Sequence, residues 1–199
     1  MSDTAVLSLS DRTAPTESPV LDVLAERWSP RGFDVDAPID EAKLASALEA
    51  ARWSPSANNS QPWRFIVARR GTEAFDQIVA NLLGFNQMWA DRAGALVVAV
   101  AETATADGTP VHFAQYDLGQ AMAHFSVQAH HDGLFVHQMG GIERDGLRQA
   151  FGLDERFTPL TVSAVGTLGG IETLPEALQE REAAPRVRRP LAETVVLSA

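Results

Sequence analysis

The chain has 199 residues, a formal net charge of −10 and no cysteine. That length can bury a real core, and the acidic balance repels nucleic acid and anionic membrane surfaces. The missing thiols exclude disulfides, thiolate catalysis, iron–sulfur clusters and cysteine-type zinc sites.

No apolar run approaches the roughly 20 residues of a membrane helix. Residues 1–18, rich in Ser, Thr, Asp and Pro, lack the basic start and apolar centre of a signal peptide. They read as a flexible arm, residues 19–199 as a single domain, and the cytoplasm as the default location. Pro19 opens a short helix over Val20–Trp28. Asp40 caps a second helix to Trp53, with Leu44, Ala47, Leu48 and Ala51 on one face. Arg64–Arg69 reads as a strand, and Thr72 caps a helix running to about Leu83. The nearly all-apolar Gly94–Glu102 predicts a strand buried on both faces. Val111–Asp132 is the longest predicted helix. Its small residues Ala114, Gly119, Ala121 and Ala123 let another element lie close. "LFVHQM" predicts a strand broken by Gly140–Gly141, followed by a helix at Glu143–Phe151 and a buried strand at Leu160–Leu168. The tail carries a short helix, a basic knot at Pro185–Pro190 and a strand-like "TVVL". Strands alternating with helices around one long helix predict an α+β sheet covered by helices.

Several stretches with chemical potential have plainer readings. His130, His131 and Asp132 close a helix, where cationic imidazole suits the dipole, and no third metal ligand stands at a typical spacing. "VGTLGG" (Val165–Gly170) lacks the helix that a phosphate turn needs directly behind its glycines. His124 on the long helix reads as structural. Hydrolase and nucleotide-triphosphatase motifs are missing.

Three clusters remain. In "ERWSPRGF", Arg27, Ser29 and Arg31 place two guanidinium groups and a hydroxyl at a helix end, a phosphate-binding chemistry. In "APRVRRPL", Arg186, Arg188 and Arg189 sit between stiffening prolines. In "WSPSANNSQPWRF", Ser56, Asn58, Asn59 and Gln61 offer amides and hydroxyls suited to the edge of a heteroaromatic ring. Trp53, Pro55, Pro62 and Trp63 frame that loop and cover the site.

Together these segments resemble the FMN-dependent nitroreductase family, in family order from about Leu21 to the C-terminus. "RWSPRGF" is similar to the family's Arg-x-Ser-x-Arg-x-Phe signature, which implies that Arg27, Ser29 and Arg31, with Trp28 among them, hold the FMN phosphate and ring. "SPSANNSQPWRFIV" resembles its Ala-Pro-Ser-x-x-Asn-x-Gln-Pro-Trp-x-Phe segment. Pro55, Ser56, Ala57 and Asn59 then lie against the flavin from the second subunit, with Ser56 and Asn59 touching it. "FNQMWADRAGALVVAV" puts Asn86 at the flavin edge, and Trp89 stands where some members have a lysine. "DGLFVHQMGGI" puts Met139, Gly140 and Gly141 beneath the ring, with backbone amides facing N5. Gly140 stands where some members have a glutamate. "RVRRPL" gives Arg186 and Arg188 to the phosphate.

The resemblance implies a mixed, mainly antiparallel sheet flanked by helices, with a long central helix and a C-terminal extension adding to the partner subunit. It also implies a homodimer with shared sites. The expected activity passes hydride from NAD(P)H through flavin N5 to an electron-poor acceptor such as a nitroaromatic, quinone or activated alkene. The short loop between Glu102 and Gln115 implies an open pocket. An FMN-storing protein without turnover, or a specialised flavin dehydrogenase or dehalogenase, are the alternatives.

Overall fold

The structure, a computed structural model, describes residues 12–197. Residues 1–11 of the expected arm, and residues 198–199, lie outside the described residues. Among the described residues, seven helices and four strands follow in order: α1 (Asp22–Glu26), α2 (Glu41–Arg52), β1 (Trp63–Arg69), α3 (Glu73–Ala80), β2 (Ala95–Glu102), α4 (Ala114–His131), β3 (Phe135–Met139), α5 (Arg144–Ala150), β4 (Phe157–Gly166), α6 (Glu176–Ala183) and α7 (Leu191–Thr194).

The strands form one sheet of order β1-β2-β4-β3, and every pairing in it is antiparallel. β2 sits inside, so its side chains alternate between two cores. Leu96, Val98 and Val100 face a layer built from α3, α5, α6 and the segment around Trp28 and Phe33. Ala95, Val97, Ala99 and Ala101 face α2 and α4. The alanines leave little bulk between sheet and helix, and Ala114, Ala121 and Ala129 answer them from α4. β4 begins earlier than its apolar run predicts and takes in Pro159. The register shifts between Ala99 and Val100, where Pro159 opposes Val100 and Leu160 is left over. A proline has no N–H for the ladder, and a bulge accommodates it.

Helix ends follow local chemistry. The Asp40 carboxylate accepts from the N–H groups of Ala42 and Lys43 at 3.0 and 3.1 Å, as the cap reading expects. Thr72 Oγ1 accepts from Phe75 N at 3.3 Å. α3 stops at Ala80, before the expected Leu83, because Leu82 leaves the helix to bridge Ile142. α4 begins at Ala114, because Val111 N–H bonds Thr103 instead. Gly169 serves close packing, not an anion: a Cβ there would stand 2.7 Å from the Phe33 carbonyl.

One element differs in kind. "TVVL" was expected as a strand, yet Leu191–Thr194 is helical and Val195–Leu197 join no sheet. Its β-branched residues have no strand beside them to pack on, and β propensity expresses itself only in such a context. No helix among the described residues is long and apolar enough to cross a membrane.

The double cap at Asp40 sets a first expectation. Asp40→Ala removes the acceptor of two N–H groups and lowers unfolding stability by about 1 kcal/mol in a urea titration; an unchanged midpoint removes the cap's importance.

Candidate functional site

The loop from Trp53 to Trp63 is held from several sides. Asn58, Asn59 and Gln61 have φ of 53°, 54° and 47°. Asparagine tolerates the left-handed region, whereas glutamine does so at some cost. Hydrogen bonds enforce the shape. Ser56 Oγ accepts from Gln61 N at 3.0 Å, and Gln61 Nε2 donates to the Asn59 carbonyl at 3.1 Å. Asp117 on α4 is only 2% exposed, and its carboxylate accepts from Ala57 N at 3.0 Å. Ser54 Oγ lies 2.6 Å from His124 Nδ1, and Glu102 N donates to the Pro62 carbonyl at 2.8 Å.

The loop's polar residues therefore divide. Ser56 Oγ and Gln61 shape the turn. The Asn59 side chain is exposed and makes no hydrogen bond to the described residues, and Pro55 is exposed beside it. The two tryptophans also part company. Trp63 is core, while Trp53 is 73% exposed, its Nε1 donating to Glu49 at 2.8 Å under the Arg52 guanidinium. Trp53 faces outward, beside α2, rather than over the loop it precedes.

At the far end of α4, guanidinium groups gather. Arg186 ties three carbonyls, giving Nη1 to Arg12 and Ala25 at 2.6 Å each and Nη2 to Arg27 at 2.8 Å. Arg12 is 8% exposed, donates Nη1 to Ala184 O at 2.9 Å and lies 4.4 Å from the Trp28 ring centroid. Burial first, and then the Arg188 charge, lowers the pKa of Arg27. Burial and the charges of Arg27, Arg188 and Arg12 lower that of Arg186. None of these four cations pairs with a carboxylate among the described residues. Two donors there, Arg12 Nε and Trp28 Nε1, are buried without a partner among the described residues. His130, in the last turn of α4, is lowered by burial and feels Glu26, Arg27 and Arg186, which places the cluster beside that turn.

Arg31 stands apart from this cluster. Its N–H and that of Gly32 donate to Glu182 Oε1 at 2.7 and 3.3 Å, and its Nη1 reaches Oε2 at 3.3 Å. Glu182, on α6, is 2% exposed. This buried carboxylate neutralises Arg31, so the basic pair expected at Arg27 and Arg31 is split. Ser29 is exposed between them.

The other end is the turn after β3. Gly140 is exposed, and a Cβ there would meet nothing within 4 Å. The Gly141 carbonyl accepts from Leu83 N at 3.0 Å and Asn86 Nδ2 at 3.2 Å, which seats the Gly84–Met88 turn beside it. Met139 is buried. Trp89, expected at a flavin edge, is 1% exposed, stacked on Phe33 and tilted over His137 at 4.6 Å. An indole has more to gain from the core than from the surface, so Trp89 supports the turn from beneath. Gln138 bridges β3 to the middle of α4, donating Nε2 to Met122 O at 3.2 Å and Ser126 Oγ at 2.9 Å. The arginine cluster and the glycine turn thus lie along one seam between α4 and β3. From His130 back to Met122 is about 12 Å of helix.

A family model described as the nitroreductase family matches residues 24–85. A solved oxidoreductase containing FMN is 35% identical, with a TM-score of 0.86 and 93% of each chain covered. A Bacillus subtilis protein, YdgI, described as an NAD(P)H nitroreductase, is 24% identical over 185 residues, covering 73% of this chain and 87% of that protein. A nitroreductase-like protein of Desulfovibrio desulfuricans, solved in complex with FMN, has a TM-score of 0.74 at 24% identity, covering 92% of this chain and 99% of that one. The chain belongs to the nitroreductase family and has its α+β fold.

Burial first, and then the Arg31 charge, pushes His137 from 6.5 down to about 4, although its Nδ1 lies 2.9 Å from the Pro30 carbonyl. Between those two values the unfolded chain takes up a proton that the folded chain refuses. Stability therefore falls as pH drops through that window, by roughly 3 kcal/mol in full. Urea unfolding at stepped pH checks this: His137→Gln flattens the slope, and an equal slope in variant and parent removes His137 as its cause.

Proposed function

We propose that this protein is an FMN-dependent oxidoreductase that passes hydride from NAD(P)H to an electron-poor acceptor, a nitroaromatic, quinone or activated alkene. The observation that carries the reading is the uncompensated cluster of Arg12, Arg27, Arg186 and Arg188 in a chain of net charge −10. Like charges gathered with buried, unpartnered donors fit a phosphate, which neutralises them and accepts their hydrogen bonds. The glycine turn at the other end of the seam leaves open space that a flat ring needs. The FMN and NAD(P)H in the descriptions of the relatives support the same reading.

Arg27 and Arg188 are the phosphate ligands in this proposal, with Trp28 Nε1 as a neutral donor. Arg186 fixes the Arg27 backbone, and those of Ala25 and Arg12, by donating to their three carbonyls. FMN held there would supply the redox chemistry, hydride exchange at N5, and the protein would supply binding and orientation. The backbone around Gly140 and Gly141 would face the ring, held in place by Asn86, whose Nδ2 donates to the Gly141 carbonyl. Neither Asn86, tied to a carbonyl, nor buried Trp89 carries an acidic proton, and in this proposal water would supply it. A homodimer completes the site. Phe113, the residue before α4, and Tyr116, on its first turn, are exposed, as are Val187, Leu191 and Val196 on the tail. A second copy would cover these residues and bring its Pro55–Asn59 loop to the ring.

The test is spectroscopic. Protein incubated with FMN and gel-filtered retains the flavin's visible absorption, which bleaches on anaerobic mixing with NADH or NADPH and returns with a nitroaromatic or quinone. A retained band that neither nicotinamide bleaches points to storage and ends the reductase reading. Arg27→Ala or Arg188→Ala weakens FMN binding by roughly 10- to 100-fold each, the loss of one charge-assisted hydrogen bond; unchanged affinity in both ends the phosphate assignment.

A further inference from the structure

Gln138 is an exposed residue on a five-residue edge strand, and solvent could satisfy its carboxamide. It is instead fixed. Its Nε2 donates at 3.2 Å to the Met122 carbonyl and at 2.9 Å to Ser126 Oγ. Ser126 in turn donates Oγ–H to the same Met122 carbonyl at 2.8 Å, a back-bond that pins its own rotamer. Both amide protons of Gln138 are therefore engaged inside the protein. Holding a long exposed side chain in one rotamer costs conformational entropy that a surface glutamine ordinarily keeps. The result is a carboxamide oxygen, Oε1, with fixed orientation and no donor among the described residues.

Its place along the seam gives the oxygen a purpose. Gln138 lies two residues before Gly140, about 7 Å along an extended strand. Its anchor Ser126 lies one helical turn before His130, where the arginine cluster begins. An acceptor-only group thus stands between the phosphate end and the ring end. The part of FMN that joins those ends is a polyol chain, which offers hydroxyl donors.

We propose that Gln138 binds the ribityl chain of FMN, its Oε1 accepting a hydrogen bond from a ribityl hydroxyl, and that Ser126 is the positioning residue that aims it. This inference rests on the flavin reading above. It adds a residue that selects the polyol part of the cofactor, independently of the phosphate and the ring.

FMN analogues lacking one ribityl hydroxyl test it. Dissociation constants are measured by flavin fluorescence for FMN and for the 2′-, 3′- and 4′-deoxy forms, on the full chain and on Gln138→Leu and Ser126→Ala. The parent protein binds one of the three analogues up to about tenfold more weakly than FMN. Gln138→Leu binds FMN itself about as weakly as the parent binds that analogue and no longer distinguishes the two. Ser126→Ala, with the carboxamide still present but loosened, keeps part of the discrimination. Equal discrimination in parent and Gln138→Leu overturns the assignment, as does a parent that binds all three analogues as tightly as FMN. A parent that binds no FMN removes the flavin reading and this inference with it. Gln138→Leu replaces an exposed side chain, and an unchanged urea midpoint separates a binding defect from a folding one.

Discussion

The close approach of α4 to the sheet is the constraint on which the rest of the site depends. It exists because β2 turns alanines toward the helix and α4 returns alanines of its own. Bulkier side chains on either surface would lift the helix, and a dense core transmits such a displacement. Three regions of the proposed site meet that helix in sequence order. Asp117 fixes the Asn-rich loop, Met122 and Ser126 hold Gln138, and His130 abuts the arginines. A single rigid rod thus sets the spacing between three chemically different regions. A helix is suited to that task because its rise per residue is nearly invariant.

The segments legible in the sequence were those whose signals are local. Asp40 and Thr72 cap helices with their own side chains, so their neighbours suffice to reveal them. The apolar run of β2 declares burial on both faces without any partner being named. The basic knots at Arg27 and at Arg186–Arg188 were visible because charge is unusual in an acidic chain. The hidden residues share a different property, in that their roles are made by distant partners. Arg12 sat in a stretch whose Ser, Thr and Pro suggested an arm, and its burial depends on Ala184 and Trp28. Glu182 is one acid among several in its helix, and only the returning Arg31–Gly32 backbone singles it out. Gln138 and Asp117 look like ordinary polar positions until the facing element arrives. Trp89 shows the converse. Its position in a motif suggested contact with a ring, yet core packing claimed the indole.

The distribution of charge also explains why two arginines so close in sequence behave differently. Arg31 and Arg27 are four residues apart, but the chain between them passes through buried Trp28 and Pro30. That passage delivers Arg31 to the layer beneath the sheet, where Glu182 awaits it. Arg27 stays at the end of α1 among like charges. One guanidinium is thereby neutralised within the fold, and the other remains in repulsion with its neighbours.

That repulsion has a consequence for the chain as a thermodynamic object. A folded state that concentrates four cations with no ion pair among the described residues favours any anion that fits among them, and by linkage the anion stabilises the folded state. If the cluster holds phosphate as proposed, buffer composition becomes part of the protein's stability: inorganic phosphate or sulfate would compete for the cluster, while chloride at moderate strength would chiefly screen it. Melting temperatures taken in different buffers would then describe differently liganded molecules. For the same reason the supply of a phosphorylated cofactor acts on how much folded chain persists, before any question of turnover arises.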